Sequence, residues 1–184
     1  MSQLPEELAA RRQWFERYFA DTTVELLAAH GLRRRHTCPC CGYPTLLHRS
    51  YYEICKLCGW EDDGQDDPSA DEWWGGPNYQ YSLTLARENF ARYGSKYNPG
   101  GDQRLFPDSA VVVHAKRAIT KAFDLMSRQT SLDTQFALWA IIGENEEILR
   151  HELDRRVENY SAFDQVVHSH DHPHHPLSGL DSDA

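Results

Sequence analysis

The chain has 184 residues, 40% hydrophobic and 26% charged, with five cysteines and a formal net charge of -9. That length suits one domain, or one core with a small appended module, and it can bury a core without disulfide staples. No apolar stretch approaches the roughly 18 residues a membrane span needs, and residues 1–12 are polar, so a cytoplasmic protein with no membrane segment or signal peptide is expected.

Residues 1–35 read as an N-terminal helical hairpin. Pro5 suits a first helical turn, and Leu8, Phe15 and Phe19 recur near helical spacing. A second helix is expected from Thr22, where Thr22-Thr23-Val24-Glu25 has the form of a capping box, with Gly31 as its stop. Residues 36–94 change character. Cysteines, prolines and glycines replace the helical pattern, and the β-prone run Tyr51-Tyr52-Glu53-Ile54 predicts a strand. Within this segment Ser82 caps a helix carrying Leu83, Ala86, Phe90 and Tyr93, which Gly94 ends.

Residues 95–107, rich in Gly and Pro, read as a linker loop. Residues 108–165 are again helical in pattern, with Val112, Ala115, Ile119, Ala122, Phe123 and Met126 on one face. The run Val111-Val112-Val113 leaves a strand open as an alternative for the first turn. Ser131 opens a longer helix that Gly143 is expected to break. Residues 166–184, rich in His and Asp, have the composition of a disordered tail. The fold class expected is α+β and predominantly helical: a helical body with a central small zinc-ribbon module built on four cysteines.

The strong chemical signal is a pair of C-x-x-C-G knuckles, Cys38-Pro39-Cys40-Cys41-Gly42 and Cys55-Lys56-Leu57-Cys58-Gly59. Tetrahedral Zn²⁺ takes four soft ligands, and two tight turns supply four thiolates. Cys38, Cys41, Cys55 and Cys58 are therefore the candidate ligands of one structural Zn²⁺, and the glycines free the backbone to aim amides at the sulfurs. Cys40 breaks the spacing and is left as a free thiol. A dithiol redox site would need a strand-to-helix context that these knuckles lack.

These residues carry a resemblance. Cys38 to Leu46 resembles the opening motif of the bacterial cysteine-rich CPCC family. The similarity continues through Tyr52 to Gly64, through Gly75-Gly76-Pro77-Asn78, and through Ser82-Leu83 with Ala86-Arg87 and Asn89-Phe90. It covers about residues 37–93. What it implies is a small zinc-ribbon-like module; it brings no catalytic mechanism.

Seven acids and no base lie between positions 61 and 72. A concentrated acidic field disfavours phosphate backbones and favours basic partners. Glu61, Asp62, Asp63, Asp66 and Asp67, with Trp73 and Trp74 beside them, are thus candidate partner-binding residues for a basic protein. Arg33, Arg34 and Arg35 could contact nucleic acid, but such a run more often serves as a salt-bridge partner of an acidic loop. No nucleophile elbow, phosphate-binding glycine loop or zincin motif is legible. The expectation is a non-enzymatic zinc-binding protein acting by protein–protein interaction, in its narrowest form an acidic immunity- or antitoxin-like inhibitor of a basic toxin. The rivals are a hydrolase-like enzyme and a nucleic-acid-binding ribbon.

Overall fold

The computed structural model describes residues 5–100 and 108–169, with side chains through residue 159. Among the described residues, those up to 149 make one unit and those from 150 another. The chain is predominantly helical with a single two-stranded sheet among the described residues.

Helix α1, Glu6–Asp21, buries Leu8, Phe15, Tyr18 and Phe19. It ends where the Thr22 amide and hydroxyl both donate to the Tyr18 carbonyl. Helix α2, Val24–Ala29, starts one residue later than the sequence suggests. Thr23 is the residue whose side chain accepts from the Leu26 amide, because Thr22 is buried and already spent on α1. Gly31, at φ 68°, turns the chain out of α2.

Strands β1, His36–Thr37, and β2, Pro44–Leu46, pair antiparallel around the first knuckle. The strand expected at Tyr51 to Ile54 does not form; only an isolated bridge joins Ile54 to Glu61. Ser50 and Tyr52 sit at φ 57° and 59°, left-handed conformations that interrupt an extended strand. Helix α3, Leu83–Tyr93, has the expected limits, with Ser82 accepting from the Leu85 amide and Gly94 left-handed at its end.

Helix α4, Ala110–Met126, begins at Ser109, whose hydroxyl accepts from the Val112 amide, so Val111 to Val113 are helical. Its buried face is the one the spacing predicts. Helix α5, Leu132–Ser169, runs straight through Gly143. One glycine costs a helix about 1 kcal/mol relative to alanine. Burial of Leu138, Trp139, Ile142 and Glu146 on both sides of it outweighs that. The backbone of α5 also takes in positions 166–169 of the expected tail; the remainder of the tail lies outside the described residues.

The helices and the cysteine module share one core. Tyr43, from the first knuckle, stacks on Phe123 of α4 with ring centroids 5.5 Å apart. Phe123 in turn meets Phe15 of α1 and Trp139 of α5 edge-on, at 5.3 and 5.4 Å. Such pairs contribute about 0.5–1.5 kcal/mol each beyond area burial. The stretch expected to be a linker is, at its start, part of the same packing. Lys96 is buried, its amide donates to the Cys58 carbonyl at 2.7 Å, and its own carbonyl accepts from Asn89 at 2.7 Å.

Candidate metal centre

The two knuckles are built alike. In the first, the Gly42 amide donates to the Cys38 carbonyl at 2.8 Å and the Cys38 amide to the Tyr43 carbonyl at 2.9 Å. In the second, Gly59 donates to Cys55 at 2.9 Å and Cys55 to Trp60 at 2.8 Å. Gly42 and Gly59 stand at φ 76° and 78°, which closes each turn. Their own amides go to carbonyl oxygens, and the turn at Gly59 brings the next amide, that of Trp60, toward sulfur. Sulfur is met by the Trp60 amide, 3.4 Å from Cys58 Sγ, and by the Thr45 hydroxyl, 3.0 Å from Cys55 Sγ.

This geometry brings Cys38, Cys41, Cys55 and Cys58 together. All four are buried and their Sγ atoms lie within 4.8 Å of one another. The cross-knuckle pairs Cys38–Cys58 and Cys41–Cys55 are each separated by 3.6 Å, and all five cysteines are free thiols. A tetrahedron with metal–sulfur bonds of about 2.3 Å has edges of about 3.8 Å, so the donor set fits a tetrahedrally coordinated metal ion.

Electrostatics agree with that fit. Burial pushes the thiols of Cys38, Cys41 and Cys58 up, while Cys55, also buried, is held down by hydrogen bonds from those three; a cation among the sulfurs is what would let all four ionise together. Cys40 is also buried, and desolvation raises its thiol, which makes it a poor nucleophile. Lys96 faces the cluster. Burial pushes its ammonium down while the neighbouring Cys58 and Cys40 push it up, and its Nζ donates to Asn78 Oδ1 at 2.8 Å. Arg11 donates to the Cys41 carbonyl at 2.7 Å and Arg87 to the Pro39 carbonyl at 3.0 Å.

With the site in view, the comparisons with known proteins bear on its identity. Residues 36–103 match the Cysteine-rich CPCC family. The match covers under half of the chain, contains both knuckles and α3, and extends beyond the residues that carry the resemblance. No curated protein and no solved structure matches the chain.

The acidic loop is arranged differently from the expectation. Asp62 is 0% exposed, and its Oδ2 accepts from Arg49 Nε at 2.9 Å and from the Ser50 amide at 2.7 Å. Asp66 pairs with Arg49 at 2.8 Å and Arg12 at 3.1 Å, and Asp67 with Arg12 at 2.9 Å and Arg87 at 2.5 Å. Burial alone would raise the Asp66 carboxyl, but the Arg49 and Arg12 guanidiniums hold it down at about 2. Asp62 is therefore buried away from any partner, Asp66 is half-buried and ion-paired, and Asp67 is exposed but paired with Arg12 and Arg87. Asp63 accepts from the Gln65 amide and from Asn78, which leaves Glu61 as a half-buried acid beside them.

Arg35 does not serve the acidic loop either. It forms a two-pronged ion pair with Glu146 of α5, at 2.6 and 3.0 Å. Trp73 and Trp74 are 71% and 48% exposed. The residues that sequence reasoning missed are the cations Arg11, Arg12, Arg49, Arg87 and Lys96. A stretch with seven acids demands counter-charges, yet nothing in the local sequence says which distant arginines supply them.

Proposed function

We propose that the protein is a non-enzymatic zinc-binding protein that acts by binding a basic partner protein. The closed four-sulfur site carries this reading, since all four candidate ligands are buried around one point. Zn²⁺ suits a sulfur-only set, whereas Ca²⁺ and Mg²⁺ take oxygen ligands. Four thiolates saturate a tetrahedral ion and leave no position for water or substrate, so the zinc's work is to pin the two knuckles together.

Support for a partner comes from the surface beside the second knuckle. Trp73, Trp74 and Tyr79 are exposed there, and Trp73 Nε1 donates to the Tyr79 carbonyl. Large rigid aromatics are the side chains that anchor interfaces. Glu72, which accepts from Trp74 Nε1, and Glu61 lend this surface the charge that steers a basic protein toward it. In the narrower immunity- or antitoxin-like version, the protein covers the basic active site of a toxin. The tryptophans then supply the affinity, because Asp62, Asp66 and Asp67 already face arginines.

The test is capture from cells of the source organism with wild type and with a Trp73→Ala/Trp74→Ala variant, alongside metal analysis of both. The expected result is one zinc per chain in both, and one basic protein that salt releases and the variant no longer retains. Recovery of nucleic acid alone, or equal recovery on both baits, would overturn the partner reading. Sub-stoichiometric zinc that Cys58→Ser does not lower would overturn the metal reading.

A further inference from the structure

A cavity of about 600 Å³ lies among α1, α3, α4 and the first knuckle, within the unit of residues 1–149. That is the size of a small-molecule site. Phe90, Tyr93 and Val113 supply the accessible nonpolar part of its lining, over the buried Leu8 and Leu57. The rest is basic against the trend of a chain at -9, with five Arg or Lys side chains and three acids.

Most of those charges are committed. Arg11 and Arg87 donate to carbonyls of the first knuckle, and Arg87 also pairs with Asp67. Lys116 pairs with Asp108 at 2.7 Å, and Asp124 accepts from the Tyr43 hydroxyl at 2.7 Å. Arg117 and Lys121 remain. Among the described residues neither has an ion-pair or hydrogen-bond partner, and the third acid of the lining, Glu7, pairs with neither. They stand four apart on α4 and both line the cavity, so two like charges share one face of the helix. That placement is destabilising by itself, and an anion bridging the two removes the repulsion.

The geometry points to a binding site for a small organic dianion with a nonpolar body, its phosphate-like head held by Arg117 and Lys121 at the mouth of this cavity. The nonpolar body lies against Phe90, Tyr93 and Val113, while the doubly charged head answers two cations that the protein leaves unmatched among the described residues. Cys40 and Leu57 of the knuckles border this cavity, but neither the four candidate metal ligands nor the exposed tryptophans line it, so it stands or falls independently of the partner reading.

Calorimetric titration of the full chain with phenyl phosphate, inorganic phosphate and benzyl alcohol tests it. Phenyl phosphate is expected to bind at least about tenfold more tightly than either of the others. An Arg117→Gln/Lys121→Gln variant, whose changes lie on exposed positions, is expected to lose at least about tenfold in that affinity with no fall in melting temperature. An Arg33→Gln/Arg34→Gln variant, altered at arginines outside the cavity, is expected to bind as wild type does. No binding of phenyl phosphate, equal binding of inorganic phosphate, or undiminished binding by the Arg117/Lys121 variant would overturn the proposal.

Discussion

Gly42 and Gly143 are the same residue type under opposite constraints. A Cβ at Gly42 would lie 2.5 Å from Leu8 Cδ1, on a backbone already at φ 76°. A Cβ at Gly143 would meet nothing within 4 Å, in a helical conformation that any residue adopts. Gly42→Ala should therefore destabilise the protein by roughly 1–3 kcal/mol, since it adds backbone strain to a steric clash in a packed knuckle. Gly143→Ala should stabilise it by up to about 1 kcal/mol. Denaturant titration of the two variants beside wild type checks both signs. Equal effects would mean that the knuckle turn is softer than its close approach to α1 implies.

At the scale of elements, the acidic loop is held by arginines from three places: Arg12 on α1, Arg49 between the knuckles and Arg87 on α3. Asp62 is the most sensitive to loss of its partner, because it is fully buried and its second oxygen makes no hydrogen bond. Arg49→Ala leaves that carboxylate in the interior without its cation, which costs roughly 3 kcal/mol. Acid titration provides a second readout. The Asp66 carboxyl is depressed to about 2, below its value of about 4 in an unfolded chain. Its contribution is therefore complete above pH about 4 and is lost as the pH falls toward about 2. In Arg49→Ala the Asp66 carboxyl keeps only Arg12 and lies closer to its unfolded value, so the stability lost between pH about 4 and about 2 should be smaller than in wild type. An unchanged acid limb in a stability-versus-pH curve would show that the loop does not depend on this clamp.

For the whole molecule, the absence of a boundary between the cysteine module and the helices matters most. Tyr43 and Trp60, each following a knuckle glycine, are fully buried, and both belong to the core that includes Phe15, Phe123 and Trp139. Loss of a metal held by the four sulfurs should consequently be felt far from them. Chelation, or Cys58→Ser, is expected to lower the thermal midpoint of the helical signal as well as that of the knuckles, in one transition. A helical melt that ignores chelation would mean that the helices of residues 1–149 hold together unaided. No helix among the described residues is long and apolar enough to cross a membrane.

Features with a short range in the sequence are legible in it. The two C-x-x-C-G knuckles, the Ser82 cap, the Gly94 stop and the buried face of α4 each depend on residues within a turn or two of one another, and local chemistry determines them. The strand at Tyr51 and the break at Gly143 fail because packing overrides propensity. Asp62 draws the chain around Ser50 into a turn, and Trp139 and Ile142 keep α5 continuous. Charge is the least legible quantity. Seven acids in one short stretch read as a surface for another molecule, and only folding brings Arg12, Arg49 and Arg87 to three of them across up to 55 positions of chain. Local pattern alone dictates which four sulfurs can meet. Which charges they and the acids face is left to the folded chain, because an ion pair depends on distance in space and carries no periodic mark along the sequence.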